Sequence, residues 1–218
     1  MREVFQQELR EVQERLVEIS ELVTVAITNA TTAFNESNVT LAETVIAEDP
    51  KIDALAASLD ELAISILALQ QPVARDLRIV VTALRVSASL ERMGDIAEHI
   101  AQLARYRYPD KVVKKSLRQT FAEMGRLDVE IAKKLTVVLQ TEDLAIAEEM
   151  RNDDDRIDEL HVSVFDAVLA ATWKGEAVDT VDVTLASRYH ERFADHAVSI
   201  AKKVQYLATG EWVGSTNA

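Results

Sequence analysis

Residues 90–101 of this chain (LERMGDIAEHIA) return 100 residues later as residues 190–201 (HERFADHAVSIA). Six of the twelve positions hold the same residue in the same order: Glu, Arg, Asp, Ala, Ile and Ala. A second pair of segments, 49–55 and 154–160, matches at an offset of 105. A chain made of two similar halves is confined to folds in which one supersecondary unit occurs twice. The offset falls by five between the two matches, so the second half has a connection five residues shorter.

Periodicity says what the repeated unit is. Between residues 3 and 34, Leu9, Val12, Leu16, Ile19, Val23 and Ile27 recur at threes and fours, the spacing of an amphipathic helix. A second helix is expected over about 38–70, with Pro50 ending a segment or kinking it because proline removes a backbone donor. Gln71-Pro72-Val73-Ala74 marks a turn, and Asp76 is the expected N-cap of a third helix reaching about 106. Tyr108-Pro109-Asp110 is the strongest break. The second half repeats the plan with helices expected over about 112–139, 143–172 and 178–207, the last two separated by Trp173-Lys174-Gly175. Only five Gly and three Pro occur in 218 residues, which suits long helices.

The expected architecture is all-α: two tandem, sequence-related three-helix bundles over residues 1–108 and 109–208. A loose tail follows over 209–218. In the third helix, Leu77, Val81, Leu84 and Ala88 share a face with Glu91 and Asp95, while Ile79, Val86, Leu90, Met93, Ala97 and Ile100 lie opposite. A helix apolar on two sides is expected to be buried on two sides.

Composition removes several functions. The formal net charge is −13, which disfavours nucleic acid and anionic lipid, since both need clustered Lys and Arg. No cysteine is present, so thiolate catalysis and Cys metal sites are absent. The chain opens on a charged amphipathic segment rather than a signal peptide. The longest uncharged stretches, 22–35 and 62–74, are too short to span a bilayer. A soluble, cytoplasmic protein is expected.

The two matched segments together carry four acidic i,i+4 pairs: Asp49/Asp53, Glu91/Asp95, Asp154/Asp158 and Glu191/Asp195. Each half has one pair on its second helix and one on its third. On a helix the two acids of a pair share a face and repel by a few tenths of a kcal/mol. A single pair in a chain with 37 acids is ordinarily a solvated surface. Facing pairs in an antiparallel bundle would gather four carboxylates, which require counter-charge. The adjacent Arg92 and Arg192 are one source; a bound metal is the other. All-oxygen ligands favour Mg²⁺, Ca²⁺, Mn²⁺ or iron. His99, His161, His190 and His196 sit near the pairs but form no Glu-x-x-His motif of a di-iron oxidase. No nucleophile constellation or phosphate loop occurs. A carboxylate-bridged oxidase or metal store and a metal-free helical scaffold stay open as alternatives.

The string Leu69-Gln70-Gln71-Pro72-Val73-Ala74-Arg75-Asp76-Leu77-Arg78, followed by Leu90-Glu91-Arg92-Met93-Gly94-Asp95, resembles the PhoU family of phosphate-transport regulators. Glu191-Arg192-Phe193-Ala194-Asp195-His196-Ala197 with Ile200-Ala201 is similar to that family's second copy of the motif. The resemblance covers nearly the whole chain. It implies paired three-helix bundles holding multinuclear metal, iron or zinc, on the repeated acids, with Arg75, Asp76, Arg78, Arg92 and Arg192 as further candidate binding residues. It also implies a non-enzymatic negative regulator of the phosphate-starvation response. Such a regulator bridges the phosphate ABC transporter and a membrane sensor histidine kinase, peripheral to the inner face of the membrane. A homodimer is the expected assembly.

Overall fold

The computed structural model describes residues 2–210. Among these residues the chain forms six α-helices: α1 (Arg2–Glu36), α2 (Val39–Gln70), α3 (Ala74–Arg107), α4 (Arg118–Thr141), α5 (Leu144–Leu169) and α6 (Ala177–Thr209). One 3-10 turn, Lys115–Leu117, leads into α4. The apolar stripe of α1, from Leu9 to Ile27, is buried throughout. Asn38 caps α2, its Oδ1 accepting from the Leu41 N–H at 3.1 Å. Asp143 caps α5 in the same way, accepting from Ala145 at 2.8 Å. These caps satisfy donors that the first helical turn leaves free.

Helix boundaries depart from expectation at four places. Pro50 neither ends a segment nor divides α2, which runs through it. Buried Val45 and Ile52 anchor the helix on both sides of the missing backbone bond. Asp76 is not an N-cap: α3 begins at Ala74 behind Val73, and the Asp76 N–H donates to the Val73 carbonyl at 3.2 Å. Asp76 instead places its charge in the first turn, where the helix dipole favours it. The fourth helix starts at Arg118, six residues later than its apolar spacing suggests. Val112 and Val113 are buried from the connecting segment and imitate helical periodicity. α5 ends at Leu169 instead of 172, because the Trp173 N–H turns back to the Ala170 carbonyl. α6 closes on Gly210, whose φ of 79° suits a left-handed cap. Of the expected loose tail, residues 211–218 lie outside the described residues.

α1, α2 and α3 pack on one another, as do α4, α5 and α6, and the halves join through α1 against α4 and α3 against α6. Both joining pairs are antiparallel. Ser20 meets Thr136 across α1 and α4 at 2.8 Å, while Thr31 lies against Gly125. His99 of α3 stacks on Tyr189 of α6, and Arg107 at the end of α3 pairs with Asp182 near the start of α6. A single contiguous hydrophobic core runs through all six helices.

α3 is indeed packed on two sides, by α1 and α2 and by α6. The second side is not the face the apolar pattern suggests. Leu77 is 40% exposed and Ala88 is exposed. α6 instead covers the flank that bears His99, leaving the acidic face of α3 open.

Candidate functional site

In each half the second and third helices bring their acidic pairs together. In the first half, one carboxylate oxygen each from Asp49, Asp53 and Asp95 lie within 4.8 Å of one another. Glu91 stands one turn before Asp95 on the same face of α3. Burial raises the Asp49 pKa to about 6, helped by the charges of Asp53, Glu98, Asp95 and Glu91. Glu98 is an addition that the i,i+4 spacing did not reveal. Arg92 answers part of this charge, donating to Asp95 Oδ2 at 2.7 Å and lying 3.6 Å from Glu91 Oε2.

The second half gathers the corresponding acids with different counter-ions, but among the described residues only the first-half trio brings three carboxylate oxygens within 4.8 Å of one another. Asp154 and Asp158 come from α5, Glu191 and Asp195 from α6. Burial raises the Asp154 pKa to about 7, reinforced by the charges of Asp158, Asp195 and Asp155 and opposed by Lys202. Arg192, expected as the counter-charge, forms no ion pair among the described residues. Arg188 pairs with Glu191 instead. Arg188 lies three residues before Glu191, a helical neighbour, and its counterpart in the first half is Ala88. An open groove of about 460 Å³ beside this cluster is lined by Arg188, Arg192, Asp195, His196, Ser199 and Lys202.

Two oxygens of the second cluster, Asp154 Oδ1 and Glu191 Oε2, are buried without a hydrogen-bond partner. An orphaned buried acceptor costs about 1–3 kcal/mol, and a cation is the natural partner for a carboxylate so placed. Ligand oxygens lie about 2.0–2.6 Å from Mg²⁺ or Ca²⁺, so the first-half trio of Asp49, Asp53 and Asp95, within 4.8 Å, can share one ion. His161, the nearest approach to a di-iron histidine, is bonded through Nδ1 to Ser187 Oγ at 3.1 Å.

Gly94 sets the approach of α2 to α3 in the first cluster. A methyl group there would stand 3.1 Å from Ile52 Cδ1 and 3.2 Å from Asp49 Oδ1. The second half carries Ala194 at this position. Gly94→Val is expected to push Asp49 off the cluster and cost about 1–3 kcal/mol. Urea unfolding reads the loss, and Mn²⁺ titration should show weakening at the first cluster alone.

The raised carboxyl of Asp154 has a definite pH signature. Between about pH 4 and 7 the folded chain holds a proton that the unfolded chain has released. Stability contributed by this group is therefore complete below that window and is lost as pH rises through it. Asp154→Asn is expected to flatten the decline in Tm of the metal-free protein between pH 5 and 8, by about a few degrees at pH 8. Thermal melts across that range measure it.

Arg75, Asp76 and Arg78 lie elsewhere. They occupy the first turns of α3, about 20–30 Å along the axis from Glu91 and Asp95. Arg78 has a buried Nε without a hydrogen-bond partner. These three residues belong to neither carboxylate cluster.

A buried pair went unnoticed in the sequence. Asp128 of α4 and His190 of α6 are 0% and 1% exposed, and His190 Nδ1 lies 2.5 Å from Asp128 Oδ2. Phe34 and Phe121 pack against the imidazole. Burial pushes the Asp128 pKa up to about 6 even though His190 pulls it down. Asp128 falls on the stripe formed by Phe121, Met124, Ile131 and Leu135, and a carboxylate at an apolar helical position is the signal that could have found it.

The PhoU domain model matches residues 16–104 and again 121–204, one copy in each half. The chain belongs to the PhoU family. It is 41% identical over 210 residues to phosphate-specific transport system accessory protein PhoU homolog 2 of Mycobacterium tuberculosis, covering 96% of this chain and 99% of that protein. Homolog 1 of Mycobacterium leprae is also 41% identical, over 212 residues, with 97% and 96% covered. The crystal structure of PhoU from Pseudomonas aeruginosa superposes with a TM-score of 0.86 at 25% identity, covering 95% of this chain and all of that one. Both PhoU matches fall on helices that carry the acidic pairs.

Proposed function

We propose that this chain is a non-enzymatic regulator of phosphate uptake that represses the phosphate-starvation response as an adaptor between the phosphate ABC transporter and a sensor histidine kinase. The observation that carries this reading is the full-length match to phosphate-specific transport system accessory proteins. The absence of any helix long and apolar enough to cross a membrane among the described residues suits an adaptor held at the inner face through protein partners. A homodimer belongs to the same proposal.

The carboxylate clusters give the adaptor a metal capacity. Asp49, Asp53, Glu91 and Asp95 would hold one centre; Asp154, Asp158, Glu191 and Asp195 would hold the other. The donors are all oxygen, which suits iron, Mn²⁺, Mg²⁺ or Ca²⁺, and zinc less well. Bound metal would neutralise like charge and tie α2 to α3 and α5 to α6. Arg92 and Arg188 meanwhile hold the third-helix acids in place.

The test has two arms. Elemental analysis of protein purified without chelator is expected to find metal, and the Glu91→Ala, Asp95→Ala, Glu191→Ala, Asp195→Ala variant is expected to lose it. Equal metal in both sinks the metal assignment. Deleting the gene in its native cell is expected to switch on phosphate-uptake genes in rich phosphate, and repression that persists removes the regulatory role.

A further inference from the structure

The outer face of the α5–α6 hairpin carries a band of apolar side chains that remain exposed among the described residues. Val162, Phe165 and Leu169 lie on one face of α5, and Val178, Val181 and Leu185 on one face of α6, each set spaced by three and four. Their exposure runs from 38% at Phe165 to 81% at Leu169. The His161–Ser187 contact at 3.1 Å ties α5 to α6, and the bond from Trp173 Nε1–H to Thr180 Oγ1 at 2.9 Å ties the connecting turn to α6.

The other half of the chain provides an internal control. At an offset of 105, the α5 residues correspond to Ala57, Asp60 and Ile64; at 100, the α6 residues correspond to Arg78, Val81 and Arg85. Four of the six positions thus differ from the apolar residues of the second half: one is smaller and three are charged. The first half forms the same helix pair with those charges in place, so the fold does not require large apolar side chains there. Exposed apolar surface that the fold does not require marks interaction sites.

We infer that this band is the docking surface for an amphipathic helix of a protein partner, with apolar anchors on one face and Lys or Arg along its edges. The chemistry of the border selects this occupant. Asp158, Glu159, Asp166 and Glu176 are exposed around the band. Among the cations nearby, Arg188 is held by Glu191, leaving Lys174 in the turn and Arg192 farther along α6. A second copy of this chain would set acid against acid, and so would an anionic bilayer. A basic helix gains from both the border and the net charge of −13. Laying an apolar helical stripe on such a surface is an established mode of peptide recognition.

This assignment rests on the adaptor reading, so the experiment uses its partners: the purified phosphate ABC transporter in neutral-lipid nanodiscs and the sensor kinase from the same cell. Binding of the full chain is measured by surface plasmon resonance, with circular dichroism and Tm checking that each variant is folded. Leu169→Asp with Val181→Asp is expected to weaken binding to one of the two at least 30-fold. Ile64→Asp with Val81→Asp, the same positions in the first half, is expected to stay within twofold. Asp166→Lys is expected to slow association several-fold at low salt and less at high salt. A folded Leu169→Asp, Val181→Asp protein that binds as the unaltered chain does overturns the inference. So does a result in which that variant only breaks a dimer, measured by sedimentation, and leaves partner binding intact. An unaltered chain that binds neither partner overturns the adaptor reading, and this assignment with it.

Discussion

His190→Ala is expected to destabilise the protein by about 3–5 kcal/mol, because it leaves the Asp128 carboxylate buried without its partner. The measurement is urea unfolding at pH 7 with far-UV detection. Asp128 is wholly enclosed between α4 and α6, so water cannot replace the lost imidazole without opening the interface of those helices. Its raised pKa adds a direction: with His190 gone, the cheapest response is for Asp128 to take up a proton, so the loss should shrink as pH falls toward 5. Replacing both residues by leucine removes the charge and the orphan together, and is expected to restore most of the stability. A double variant as unstable as His190→Ala would mean that shape, not charge, holds this contact.

The second large effect comes from metal. The apo clusters hold like charges close together, and binding a cation to the folded state alone stabilises it by mass action. At a free metal concentration 100 times the dissociation constant the gain is about 2.7 kcal/mol. For a chain of this length that corresponds to a rise in Tm of about 5–10 °C. The Glu91→Ala, Asp95→Ala, Glu191→Ala, Asp195→Ala variant is expected to show no such rise and to melt above the unaltered apo protein at pH 7.5. Because the ligands must be ionised, the apparent affinity for Mn²⁺ should increase with pH through the range in which Asp49 and Asp154 titrate, about 6 to 7. Calorimetric titration at pH 5.5 and 7.5 checks the sign. An affinity that falls with pH would rule out carboxylate ligation.

The clusters and the buried pair differ in how visible they are in the linear chain. Asp49, Asp53, Glu91 and Asp95 are joined by i,i+4 spacing within each helix, and their recurrence at Asp154, Asp158, Glu191 and Asp195 marks them in a single pass. Their counter-charges are only half visible. Arg92 follows from adjacency, but the cation that reaches Glu191 is Arg188, because a side chain one turn back shares the face and Arg192 does not pair. Asp128 and His190 lie 62 residues apart, and no local pattern links them.

Duplication, six amphipathic segments and the carboxylate spacing were determined by the sequence alone. All three are short-range or periodic properties, and the helix repeat converts them directly into shared faces. The tertiary structure decided which faces meet. α6 lies against the His99 flank of α3, and the apolar side chains on the outer face of α5 and α6 stay exposed. It also carried α2 through Pro50 and delayed α4 to Arg118, where packing outweighed the local signal. Partner choice between helices depends on side-chain volumes summed across a whole interface. No window of sequence contains both sides of that interface.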